Sequence, residues 1–325
     1  KIMSKRKAVF LGNGFTRALV GNVPAWGQLI GGANLQDDLQ KIIPYTFQYE
    51  MNYLGERKSD EETLKSEICR KLPDFSKVEL KDAAKSFLSF LAENEITDIL
   101  TTNYDGLVEH LLLSQNAKLS SKNDSEKIYS IRRNYVYKYN EKLITLWKVH
   151  GDAVAPKSVM LGLDHYCGAI GKMDDFIKRG KLGGKIVDVP IEKKFKYRSE
   201  ENSKNESTTF QFQTWVDLFF AATVYFIGFG LDFSETDIWW LLNKRARFKE
   251  KLEISNEIFF YTPQQQKTET AAETAKAKAE AEAKEKVLES FGIQYQIVSY
   301  EFKKHSANPE YLLDIYEMIS QQSGC

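Results

Sequence analysis

Short apolar runs recur along the chain, each closed by glycine or by a polar cluster. Residues 8–11 run into Gly12-Asn13-Gly14, the pattern of a strand followed by a glycine turn. Residues 96–100 end in Thr101-Thr102-Asn103-Tyr104-Asp105-Gly106, residues 143–149 in His150-Gly151-Asp152, and residues 221–227 in Gly228-Phe229-Gly230. Runs at 257–261 and 293–300 bring the expected strands to six. Short, nearly continuous apolar stretches of this kind suit strands buried on both faces.

Between them the period becomes helical. Residues 83, 84, 87, 88 and 91 mark one helix face, and Leu107, Val108, Leu111 and Leu112 mark another. Residues 35–93 read as a helical insertion with a charged break near 55–62, and residues 311–319 as a final helix. Ser234-Glu235-Thr236-Asp237 spells a capping box, which assigns Asp237 to a helix start. Residues 264–290 are rich in Ala, Glu and Lys, with Glu280–Lys284 and Glu282–Lys286 spaced as favourable pairs and Gly292 placed to end the helix. Ala271, Ala275, Ala279 and Ala283 give it a thin apolar stripe, a candidate contact surface. The polar stretch 119–127 reads as a loop, and the glycine-bearing, lysine-rich stretch 160–211 as an irregular module or flap. Strands alternating with helices predict a Rossmann-like α/β fold, one catalytic domain over residues 1–325, with a mostly parallel sheet covered on both faces. Ligands of such sheets sit beyond the carboxyl ends of the strands, where all four polar clusters fall.

Composition changes this picture little. Lys plus Arg and Asp plus Glu number 45 each, so no net charge points to nucleic acid or an anionic membrane. The longest uncharged apolar run, residues 218–231, is too short to span a bilayer. Cys69, Cys167 and Cys325 form no C-x-x-C pair, so neither a zinc ribbon nor a thioredoxin motif is written here. With no signal-peptide core before the first strand, the expectation is a cytoplasmic protein.

Chemistry is confined to few residues. The N–H groups of Gly12, Asn13 and Gly14 could cradle a pyrophosphate, although the third glycine of the dinucleotide fingerprint is replaced by Arg17. Such a turn equally serves where positive φ is required. Thr102, Asn103 and Asp105 stand at a strand-to-helix junction, where helix capping is the commonest role of Asn and Asp. Among the histidines, His150 alone follows a strand directly; His110 falls in a helix, His165 in the flap and His305 near the end of the chain.

Taken in order, Gly12-Asn13-Gly14-Phe15-Thr16, Thr101-Thr102-Asn103-Tyr104-Asp105, His150-Gly151 and Gly228-Phe229-Gly230 with 232–237 resemble the sirtuin family over roughly residues 7–245. Two departures separate the chain from the deacylases of that family. Their four zinc cysteines after His-Gly are missing, Cys167 standing there alone, and their Asp-Phe-Arg is replaced by Pro24-Ala25-Trp26. The latter is similar to sirtuin-like proteins of bacterial anti-phage systems, which degrade NAD. The resemblance implies NAD+ as substrate, no metal, and cleavage at the nicotinamide–ribose bond. Asn103 and His150 would be catalytic, with Asn103 positioning water and His150 on the ribose hydroxyls or acting as base. Asp105 would contact the nicotinamide amide or the ribose. Gly12, Asn13, Gly14, Thr16 and Arg17 would hold the phosphates, Gly228, Gly230 and Asp232 the adenosine half, and Thr102 would line the site. A deacylase, or a non-catalytic NAD or ADP-ribose sensor, are the competing classes. A toxic activity needs a trigger, so the expected partners are further copies of the chain and a separate protein, of the HerA-type hexameric ATPase or the Argonaute type.

Overall fold

Ala8, Val9, Phe10 and Leu11 are all fully buried, as both faces of an interior strand must be. The computed structural model describes residues 6–20, 23–24, 29–30, 42–55, 60–77, 82–201, 210–265, 271–300 and 309–323. In it β1 (Lys7–Leu11) lies mid-sheet, parallel to β2 (Ile96–Thr101) on one side and to β8 (Thr223–Ile227) on the other. With β3 (Lys118–Asn123), β4 (Asn134–Tyr139), β5 (Lys142–Lys148), β9 (Ile258–Gln265) and β10 (Gln294–Tyr300), the sheet has eight strands in the order β10-β9-β8-β1-β2-β5-β4-β3. The six from β10 to β5 are parallel, and β4 and β3 add an antiparallel edge. The connection reverses direction between β1 and β8, so the ligand crevice belongs there.

Strand alternation divides the core. Val9, Leu11, Ile99, Tyr225 and Ile227 face one layer, which holds helices Asn13–Val20, Phe87–Glu93, Leu107–Ser114 and Glu310–Ser323. Ala8, Phe10, Leu100, Val224 and Phe226 face the other, which holds helices Leu163–Arg179, Trp215–Ala221 and Thr236–Phe248. A third cluster joins Tyr49, Leu64 and Ile68 of helices Tyr45–Gly55 and Glu61–Arg70 to Tyr104, Val159 and Leu161. The last three follow the carboxyl ends of β2 and β5, so these helices form a cap over that end of the sheet.

The six parallel strands are those the apolar runs predict. Two stretches differ from expectation. Residues 118–123 form edge strand β3 rather than a loop, with nearly every side chain exposed; a strand without a buried face has no alternation to read. Residues 160–211 contain two regular helices, Leu163–Arg179 and Ile191–Glu201, and a hairpin of β6 (Lys181–Leu182) and β7 (Lys185–Ile186). Met173, Phe176 and Ile177 anchor the first helix in the core, so that segment is part of the fold rather than an irregular flap. Residues 25–28, including Trp26, lie outside the described residues. Among the described residues no helix is long and apolar enough to cross a membrane.

Candidate active site

The glycines after β1 and β8 are required by each other. A Cβ on Gly14 would lie 2.6 Å from the Gly228 carbonyl oxygen, and one on Gly12 would lie 2.6 Å from the Phe229 Cα. Neither Gly12 nor Gly14 has positive φ, whereas Gly228 does, at +61°. Close backbone approach, not turn geometry, therefore explains the first pair. Gly12 precedes helix Asn13–Val20 directly, so the helix N-terminus opens at the switch point between β1 and β8. The Gly14 carbonyl accepts a hydrogen bond from the Tyr311 hydroxyl at 3.1 Å, which fixes this turn from the final helix.

Asn103 is 2% exposed. Its Nδ2 donates to the Gly12 carbonyl at 3.1 Å and to Thr16 Oγ1 at 3.0 Å. The carbonyl partner can only accept, so the amide orientation is fixed. That leaves Oδ1 buried and without a partner among the described residues. An orphan buried acceptor costs about 1–3 kcal/mol, a cost that a bound donor relieves. Thr16, read from the sequence as a pyrophosphate contact, is fully buried. Its hydroxyl serves Asn103 and the Asp105 carboxylate, so it orients Asn103 from beneath the surface.

His150 is also 2% exposed. Ring Nε2 lies 2.9 Å from Asp237 Oδ2, within hydrogen-bond distance, while Nδ1 faces Glu235 Oε2 at 3.7 Å. Tyr166 meets the ring edge-on, with centroids 5.3 Å apart. Burial disfavours the imidazolium, but the Asp237 charge and hydrogen bond, helped by Glu235, outweigh it and raise the histidine above its ordinary 6.5. Burial, then the Asp237 and Asp232 charges, push the Glu235 carboxyl up to about 7, with His150 opposing. The expected capping box is not formed: helix Thr236–Phe248 has no side-chain cap bond at Glu235. Asp237, fully buried, is turned toward His150 instead. One ligand atom from each of the three lies within 4.8 Å of the others, a spacing open to a small cation.

Two comparisons bear on this arrangement. The SIR2-like domain family matches residues 97–295, more than half of the chain. The chain belongs to the SIR2-like domain family. It is also similar to the NAD(+) hydrolase ThsA of Bacillus cereus (strain MSX-D12), with 28% identity over 196 residues, 58% of this chain and 36% of that protein. The chain thus spans about a third of that relative's length.

Several other expected site residues take definite places in this SIR2-like chain. Asp105 Oδ1 accepts the Leu107 N–H at 3.0 Å, holding the start of the helix after β2. Burial raises its pKa, opposed by Lys148. Lys148 is itself fully buried and donates to the Asp105 carbonyl at 2.7 Å and to Glu109 at 3.0 Å, a charged bed beneath the loop. Thr102 is buried, and Arg17, Gly230 and Asp232 are exposed. Asp232 accepts the Ser234 N–H at 2.8 Å. Asp232 raises, and Arg17 lowers, the Tyr45 pKa, after burial as the main cause, which places both charges around one phenol of the helical cap.

His165 also pairs with a carboxylate yet differs from His150. Its Nδ1 accepts the Leu161 and Gly162 N–H groups, both at 2.9 Å, and Nε2 donates to Glu61 at 2.6 Å. Both nitrogens are committed, and burial and Lys65 lower its pKa; it ties the helical cap to helix Leu163–Arg179. Sequence reading missed Asp237 and Glu235 as site residues. The one available signal was two acids in the segment after the last glycine loop.

Proposed function

We propose that the chain is an NAD+ hydrolase that cleaves the nicotinamide–ribose bond to give nicotinamide and ADP-ribose. The observation that carries this reading is Asn103. Its free acceptor is buried beside the glycine turn at the switch point, just after β2, whose neighbour β5 leads to His150. The family match and the name of the Bacillus cereus relative support the same reading.

Nicotinamide is a cationic pyridinium in NAD+ and leaves as a neutral pyridine, so departure needs no general acid. The reaction resembles glycoside cleavage in passing through a cation at the ribose carbon. In this reading Asn103 Oδ1 accepts a hydrogen from the attacking water and holds it in line. His150, once neutral, removes the water proton. The Gly12 to Gly14 turn and its helix N-terminus hold the pyrophosphate, and the 228–232 loop holds the adenosine half. We place the activity in anti-phage defence, with self-association and a separate partner, of HerA-type ATPase or Argonaute type, as its control.

The test is NAD+ consumption by the purified chain, with products separated by chromatography. Nicotinamide and ADP-ribose are expected, with at least about a 10²-fold loss in Asn103→Ala at unchanged circular dichroism. A fully active Asn103→Ala protein would sink the assignment. The near-complete burial of Asn103 and His150 favours a second reading, an NAD- or ADP-ribose-binding module. That reading predicts saturable calorimetric binding with no product.

A further inference from the structure

The hydrolase reading uses His150 but leaves unexplained why two acids close on it. On its Nε2 side stands Asp237, fully buried, at 2.9 Å; on its Nδ1 side stands Glu235, 18% exposed, at 3.7 Å. An ionised carboxylate can only accept, so the Nε2 proton belongs to the Asp237 contact and the lone pair of neutral His150 belongs to Nδ1. Glu235 Oε2, the oxygen that faces Nδ1, and Asp237 Oδ1, the one not bonded to Nε2, have no hydrogen-bond partner among the described residues. Neither acid is needed to cap its helix, since no side-chain cap bond is made there. The arrangement follows the logic of a buried acid that orients a histidine base, with an additional acid on the working side.

We propose that Asp237 is a positioning residue that fixes the His150 tautomer, and that Glu235 is the next stop for the proton His150 removes. The inference rests on the hydrolase reading. In balanced form, the C–N bond to nicotinamide breaks and its electron pair leaves with nicotinamide. The water oxygen bonds the ribose carbon, and its O–H bond breaks as Nδ1–H forms. That proton then passes from Nδ1 to the Glu235 carboxylate and on to solvent, so the sum is one proton released per NAD+ consumed. The other groups facing this pair are Tyr166 from helix Leu163–Arg179, Tyr104 after β2, and Asp232 on the same loop as Glu235. Burial keeps both phenols protonated, well above their ordinary range. Lys148 is turned away, onto Glu109 and Asp105.

Two measurements on the full chain test this. In the first, ring ¹⁵N signals of His150, assigned by their loss in His150→Gln, are followed against pH without NAD+. The expected result is an Nε2–H tautomer when neutral, with a titration midpoint above 6.5 that falls in both Asp237→Asn and Glu235→Gln. In the second, the pH dependence of kcat/KM is compared. His150 must be neutral to act, so activity rises with pH through its pKa, and both variants move that rise to lower pH. Asp237→Asn lowers kcat by up to about 10⁴-fold with little change in KM, the loss that follows when the acid orienting a catalytic histidine is neutralised. An Nδ1–H tautomer, or variants with an unmoved midpoint and unmoved pH rise, overturns the proposal. The first measurement needs no turnover, so it judges the His150 tautomer and its coupling to both acids even where the hydrolase reading fails. Glu235→Gln, at a partly exposed site, judges it even where Asp237→Asn does not fold.

Discussion

Glu235 is a group whose ionisation folding opposes. Burial first, then the Asp237 and Asp232 charges, raise its carboxyl from 4.5 to about 7. A raised folded-state pKa means that the stability this group contributes is fully present below pH 4.5 and is lost as pH rises through about 7. At pH 8 the folded chain therefore carries an ionised Glu235 at a cost on the order of 3 kcal/mol. Glu235→Gln is expected to be more stable than the unsubstituted chain at pH 8 by about 1–3 kcal/mol, and the gap should close below pH 5. The lower figure allows for the lost attraction to His150. Urea denaturation at both pH values measures it, and a gap that stays constant with pH would mean Glu235 titrates as an ordinary carboxylate. The positions of Asn103 and His150 at strand ends are legible from the sequence because each closes an apolar run. Asp237 is not, because Ser-x-x-Asp also spells a helix cap. The contact that decides its role reaches a residue 87 positions away, which no local pattern carries.

The long Ala/Glu/Lys-rich helix shows the same limit one level up. Helix Ala271–Ser290 ends before Gly292, at φ +70°, as its sequence predicts, but it starts later than the expected 264, since residues 264 and 265 close β9. Leu288 anchors it in the core, while Ala275, Ala279 and Ala283 are exposed. Lys284, expected to pair along the helix with Glu280, directs its ammonium across to the Gly230 carbonyl. Burial lowers its pKa, with Asp232 and Glu280 opposing. The helix thus clamps the loop that the hydrolase reading assigns to adenosine. Losing a partly exposed charged hydrogen bond of this kind is worth about 1 kcal/mol, so Lys284→Ala should raise KM for NAD+ by roughly fivefold while kcat holds. Steady-state kinetics decide the matter, and an unchanged KM would detach the helix from substrate binding. Edge strand β3 escaped the sequence for the opposite reason. With its side chains in water, its alternation was never imposed by burial, whereas the central strands β1 and β8 are buried along nearly their whole length and read as apolar runs.

At the scale of the whole molecule, the family match and the fold differ at one end. The match begins at residue 97, yet β1 lies between β2 and β8, with Ala8 to Leu11 in register against both. Without β1, each neighbour would expose a row of unpaired N–H and carbonyl groups in the middle of the sheet. Phe10 would also vanish from the aromatic cluster it forms with Phe219, Phe226 and Phe229. The same deletion removes the Gly12 carbonyl and Thr16 hydroxyl that orient Asn103, so fold and site depend on one segment. A chain beginning at residue 21 is therefore expected to lose cooperative thermal unfolding and to bind no NAD+. Calorimetry on the shortened chain checks both at once. A sharp transition near that of the full chain would mean that residues 97–295 hold the core without their central strand, and that the burial of β1 contributes far less than its position implies.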